Sequence, residues 1–313
     1  MLMIIIMCCN LVKGGQEVVY KYELAVDDIK PSELTIVQYD NRFQSKDIVT
    51  ESDNYWFSSI KWNKAYTKLH GHKYELLSMK GKCVQYDMVL HDAWCKVKGM
   101  LEISKKISDT RAFLFLDSDS IITSNYSMTD IVGFIHRELK WDYHKKPFAM
   151  NQDGPGWACK FTMTMKKKFS YCLNSGTVFW INNIKSIEIL ESWWKSALDP
   201  YEQSRFPVKF RIHWPWEQAQ MYKVYEEYQD SIMKLSFPDQ PFLNWTSFKN
   251  PNSQYPTDYV EPWCFSHWPG ANCFISHHCA SIRQKNKIIE KAAYINNNDT
   301  SDIEPIFIES FLS

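Results

Sequence analysis

The chain has 313 residues, enough for one large α/β domain or two small ones, and its 45% apolar and 23% charged residues place it among ordinary globular proteins. Lys plus Arg and Asp plus Glu both number 36, so the formal net charge is zero and the balance advertises no nucleic acid and no anionic membrane as a partner. Nine cysteines form no paired CxxC motif of a structural zinc site, and they leave the redox compartment undecided.

The N-terminal segment, residues 1–32, opens with MLMIIIMCCNLVKGG. This apolar run is too short to span a bilayer as a helix and lacks a basic leader, so a signal remnant, an anchor remnant and an extra strand all fit it. Membrane association, and a secretory against a cytoplasmic location, therefore stay open. From 33 to 285 there is no internal repeat and no low-complexity linker, which predicts one domain; 286–313 reads as a tail, Asn-rich and then ending in IFIESFLS.

Within the domain, Leu34 to Tyr39 reads as a buried strand, and Trp56 to Leu69 as an amphipathic helix with Phe57, Ile60, Ala65 and Leu69 on one face. Lys73 to Met79 is a second strand, Ala93 to Ile107 a helix, and Arg111 to Leu116 a third strand. Pro147 to Asn151 and Thr177 to Ile181 are further strands; Lys185 to Leu198 and Trp216 to Tyr228 have helical spacing. Strand and helix in alternation predict an α/β fold, a mostly parallel central sheet flanked by helices. Ligands in such folds sit at the carboxyl ends of strands, which is where Tyr39 and Asp40 would meet a base and ribose. The tryptophans of the second half, Trp193 and Trp194 among them, could pack the core or face a sugar.

The third strand runs straight into two carboxylates, RAFLFLDSDSIIT. Carboxylates at the mouth of a buried strand are costly unless paired, hydrogen-bonded or metal-bound. Asp117 and Asp119, flanking Ser118, could share one hard cation, Mg²⁺ or Mn²⁺. Two enzyme classes place Asp-x-Asp after a buried strand: haloacid-dehalogenase-type phosphatases, with a nucleophilic first Asp, and metal-dependent glycosyltransferases. The phosphatase pattern wants Thr or Val where Ile121 stands, and no convincing later acidic motif follows. A carbohydrate-binding protein with an acidic turn is the non-enzymatic alternative.

Several segments in order resemble one glycosyltransferase family of the GT-A, Rossmann-like fold, the group of fungal α-galactosyl- and mannosyltransferases and plant xyloglucan α-xylosyltransferases. They are WNKAYTKLHGHKYELL, AWCKVKGMLEI, FLFLDSDSII, NQD, LNSGTVFWINN, WEQAQMYKVY and FSHWPGANC, spanning residues 62 to 273. The chain departs from the pattern at Ile181, where the family has Arg, and at Trp216, where relatives often carry a second acidic residue.

The resemblance implies a metal-dependent transfer from a nucleotide sugar, a UDP-sugar, to a glycan acceptor, with retention of configuration. It assigns Asp117 to ribose or metal contact, Asp119 and His267 to the cation, Mn²⁺ or Mg²⁺, and Ser118, Gln152, Asp153, Asn174, Ser175 and Gly176 to the donor or acceptor. Glu217 and Gln218 would stand near the reacting carbon. Lys96 could reach phosphate, or could be a solvated lysine on a helix. His267 could equally be a hydrogen-bonded loop histidine, Asp153 part of an Asp-Gly turn, and Glu217 an acidic residue favoured at a helix start.

Overall fold

The structure, a computed structural model, describes residues 7–13, 16–22, 29–44, 55–123, 127–138, 140–152, 173–198, 216–235, 266–267, 275–277 and 306–309. Near the N-terminus β1 (Met7–Lys13) and β2 (Gln16–Tyr22) pair antiparallel, so Met7–Lys13 takes the strand reading of its apolar segment. The next strand, β3 (Leu34–Tyr39), is buried at all of its residues, as a strand covered on both faces must be.

After it come α1 (Tyr55–His70), β4 (Lys73–Lys80), the short hairpin strands β5 (Val84–Gln85) and β6 (Met88–Val89), and α2 (Ala93–Lys106). Then follow β7 (Ala112–Asp117), β8 (Ser120–Ile122), α3 (Met128–Glu138), β9 (Phe148–Gln152) and β10 (Leu173–Ile181). The described chain is completed by α4 (Ile184–Lys195), α5 (Trp216–Tyr228), β11 (Ile232–Leu235), β12 (Ser266–His267), β13 (Ile275–His277) and β14 (Ile306–Glu309).

Among the described residues seven strands form the main sheet, in the order β11-β9-β10-β7-β3-β4-β14. Neighbours run parallel except β10, which is antiparallel to both β7 and β9. The mostly parallel sheet is the one that strand–helix alternation predicts. The reversed direction of β10 was not legible, because a buried apolar run reads alike both ways. The apolar end of the chain, Ile306–Glu309, adds an edge strand beside β4, so the sheet draws on residues beyond 285.

Alternation along β7 divides the core. Phe113 and Phe115 join Trp94, Val97, Trp180 and Trp193 on one face, while Leu114 and Leu116 join Ile131, Ile135, Trp141 and Phe179 on the other. Trp193 and Trp194 thus take the core-packing reading. On α1 the buried face is Trp56, Phe57, Ile60, Asn63, Tyr66 and Thr67, whereas Leu69 is 79% exposed. The expected stripe fails at its C-terminal end because Tyr66 and Thr67 already fill the inward side of the last turn. Gly71, at φ +72°, then turns the chain into β4. Among the described residues no helix is long and apolar enough to cross a membrane.

Two links tie elements around the sheet. A disulfide, Cys83–Cys95, fastens the segment after β4 to the first turn of α2. His72, buried, bonds Pro31 O through Nδ1 (3.1 Å), while its Nε2 accepts from the backbone N–H of Met128 (3.3 Å) at the start of α3. A nitrogen that accepts from an N–H carries no proton, so this imidazole is neutral. Burial, and next His70, push its pKa down to about 4 against the opposing bond to Pro31. A depressed pKa contributes stability above the unfolded value of about 6.5. That contribution is lost as pH falls toward about 4. His72→Gln is therefore expected to flatten the fall of stability between pH 6.5 and 4, read from urea denaturation at a series of pH values.

Candidate active site

β7 lies between β3 and β10, with Asp117 opposite Tyr39. Its last residue, Asp117, leaves the buried run, and Ser118–Asp119 turn into β8. Helix α1 fixes that turn from behind. Asn63 acts as a surrogate strand edge, its Nδ2 donating to Ser120 O (2.9 Å) and its Oδ1 accepting from Ile122 N (3.0 Å). Ser59 Oγ also donates to Ser120 O (2.8 Å), and Trp62 Nε1 to Ile122 O (2.6 Å). Asn63→Ala is expected to leave the Ile122 N–H buried and unpaired, at a cost of about 1–3 kcal/mol in chemical denaturation.

The neutralising partner of Asp117 is Lys96 of α2. Lys96 Nζ donates to Asp117 Oδ1 (3.0 Å) and Oδ2 (3.2 Å), to Ser175 Oγ (3.2 Å), and pairs with Glu217 Oε1 at 2.8 Å. Its side chain is 7% exposed, so the solvated-lysine reading does not hold. Burial works against its charge, but Asp117 and then Glu217 outweigh that and raise the Lys96 pKa above its ordinary value. Three ammonium hydrogens serve three partners, two of them carboxylates.

Ser175 continues the chain of bonds, donating to Glu217 Oε1 at 2.7 Å and lying 3.5 Å from Gln218 Oε1. It reaches there because β10 bulges. Asn174 pairs with Asn151, yet the next pair is Val178 with Met150, so Ser175, Gly176 and Thr177 have no counterparts on β9. Asn174 Oδ1 closes the bulge on Gly176 N (2.8 Å). Further along the same segment, Asn183 caps α4 by accepting from Ser186 N (2.9 Å), and Ile181 is buried against the β7 side of the sheet. Those positions are structural here. Glu217 and Gln218 open α5, with Trp193 Nε1 bonded to Glu217 O (2.9 Å). Glu217 Oε2 is buried and has no hydrogen-bond partner among the described residues.

A second group forms where β3 ends. Asp40 is almost wholly buried under Arg42, which sequence reading passed over. Arg42 also donates from Nη2 to Ser118 Oγ (2.9 Å) and from Nη1 to Tyr55 OH (3.0 Å). Tyr39 is buried with its hydroxyl unpaired among the described residues, and burial, then Asp92 and Asp40, raise its pKa. The Asp40-x-Arg42 spacing was the available signal, but only the fold brings Tyr55, Trp56 and Ser118 to it.

The structure thus joins Lys96, Asp117, Ser175, Glu217 and Gln218 directly, and Asp40 to Ser118 through Arg42. Gln152 ends β9 opposite Leu173, while Asp153 lies outside the described residues. The backbone of His267, on β12, pairs with Ser276, which pairs with Ile121 of β8. Two strand spacings, about 10 Å, therefore separate its chain from the residues following Asp119. Asp117 and Asp119 are hard oxygen donors of the kind Mg²⁺ and Mn²⁺ take, so their chemistry fits such a cation, with Asp117 shared with Lys96. Among the described residues no three His, Cys, Asp or Glu gather as a ligand set.

Among solved structures the chain is similar to a glycosyltransferase involved in glycosylation of the major capsid of PBCV-1, at 14% identity and TM-score 0.49, over 83% of this chain and 98% of that one. It is also similar to the galactosyltransferase LgtC in complex with donor and acceptor sugar analogs, at 11% identity and TM-score 0.43, over 83% and 95%. A third is the bifunctional glycosyltransferase WbbM, at 13% identity and TM-score 0.48, over 90% of this chain and 52% of that one. No family model and no curated protein matches the chain.

Proposed function

We propose that the protein is a GT-A-type, metal-dependent glycosyltransferase that moves a sugar from a nucleoside diphosphate sugar, a UDP-sugar, to a glycan hydroxyl with retention of configuration. One observation carries this reading: Lys96 links the Asp-x-Asp motif at the mouth of β7 to Glu217, a buried carboxylate with one oxygen unpartnered among the described residues. A motif suited to a cation and diphosphate and a carboxylate suited to a cationic sugar are thereby held in one site.

Asp119, with Asp117 and His267, would hold Mn²⁺ or Mg²⁺, which supplies Lewis-acid neutralisation of the leaving diphosphate. Lys96 fixes the Asp117 carboxylate and balances its charge. Glu217 Oε2, unpartnered among the described residues, can accept a donor-sugar hydroxyl or lie against the positive charge that grows at the anomeric carbon, and the Gln218 amide oxygen can add to it. Gln152, Asp153, Asn174, Ser175 and Gly176 would line the sugar side, with backbone close at Gly176.

The phosphatase alternative needs Asp117 as nucleophile, yet both of its oxygens accept hydrogen bonds from a cation. A carbohydrate-binding module has no need of a buried lysine between two carboxylates, an arrangement that is expensive to desolvate. The test is nucleotide release from a panel of UDP-sugars offered with glycan acceptors, beside p-nitrophenyl phosphate. UDP release from at least one donor is expected. Phosphoester hydrolysis with no UDP release contradicts the proposal.

A further inference from the structure

We propose that Arg42, and not Asp40, is the group this end of β3 presents to the phosphates of a nucleoside diphosphate, with Asp40 behind it as its anchor; the inference rests on the nucleotide-sugar reading above. Asp40, 1% exposed at its side chain, is fully engaged by a single residue. Its Oδ1 accepts from Arg42 N (2.8 Å) and Nε (2.9 Å), and its Oδ2 from Nε (3.1 Å) and Nη2. Two carboxylate oxygens offer about four acceptor sites, so a base or ribose could bond Asp40 only by displacing Arg42.

Arg42 is placed differently. Its side chain is 38% exposed, and with Asp40, Ser118 and Tyr55 bonded, one Nη1 hydrogen has no partner among the described residues. The guanidinium carbon lies 4.8 Å from the Trp56 ring centre and 5.3 Å from that of Tyr55, which fix its plane. A planar cation already held by a carboxylate, a hydroxyl and two rings loses little further freedom on meeting a ligand. Its contact with Ser118 ties this charge to the residue that separates the two motif aspartates in the chain. Lys96, the other cation bonded to the motif, spends its hydrogens on Asp117, Ser175 and Glu217. Anionic phosphate oxygens arriving at Asp119 therefore meet Arg42 as the cation with a hydrogen to give.

The test is calorimetric titration of the full chain with UDP and with uridine, both in Mn²⁺. Arg42→Gln is expected to weaken UDP binding about tenfold or more while uridine changes by less than about twofold. Arg42→Lys, which keeps the charge but not the fork, should fall between, and it serves if thermal melting shows Arg42→Gln unfolded. Variants that bind UDP as wild type does, or that lose UDP and uridine equally, overturn the proposal. Failure of the wild-type chain to bind UDP removes the nucleotide-sugar reading and this inference together. Normal UDP binding by folded Arg42 variants removes this inference alone.

Discussion

Lys96→Met is expected to cost about 3–5 kcal/mol of folding stability, the range for removing one partner of a buried ion pair. The loss has a clear source. Lys96 and Glu217 are only 7% and 4% exposed at their side chains, and Asp117 is 27% exposed. Without the ammonium, Asp117 and Glu217 lose the cation they share. Urea denaturation of the wild type, Lys96→Met, Glu217→Gln and the double variant separates the terms. The double variant should regain part of the loss, because the remaining carboxylate, Asp117, is the one that water reaches. Glycosyl transfer by Lys96→Met should fall at least about a hundredfold, since the motif carboxylate and Glu217 lose their common tether. A variant as stable as the wild type would refute the network.

Glu217→Gln is expected to lower kcat by about 10²–10³-fold with donor KM changed only a few-fold, the pattern of a group whose interaction strengthens in the transition state. The amide keeps the shape of the side chain and can still accept from Ser175 at one oxygen. It cannot oppose a cationic sugar with full charge. Steady-state kinetics with saturating acceptor read the split, and an unchanged kcat would assign Glu217 to structure only.

The parts of this site that sequence reveals are those with local signatures. FLFL before Asp117 reads as a strand because its burial on both faces demands continuous apolar residues, and Trp216–Tyr228 reads as a helix with Glu217 in its first turn. What joins them is not local. Lys96 looks like any helix lysine until the fold brings it to Asp117 at the end of β7, and Ser175 points at Glu217 because β10 bulges against β9. Arg42 gains its setting from Tyr55 and Trp56 on α1 and from Ser118 beyond β7. Nor could spacing show that Asn63 would splint β8 through two backbone bonds, although it lies in a segment already singled out. Hydrophobic periodicity placed Leu69 in the core because periodicity says which face is apolar, and not where a neighbouring element stops covering it.

In the proposed reaction the Asp-x-Asp motif serves a cation and a nucleoside diphosphate sugar. UDP release from the best donor, followed for the wild type and Asp119→Ala across a Mn²⁺ titration, tests it most directly. Release by the wild type should rise with Mn²⁺ and vanish with chelator, and Asp119→Ala should fall by about 10²-fold or more at any concentration. Full Mn²⁺-dependent release by a folded Asp119→Ala would contradict it.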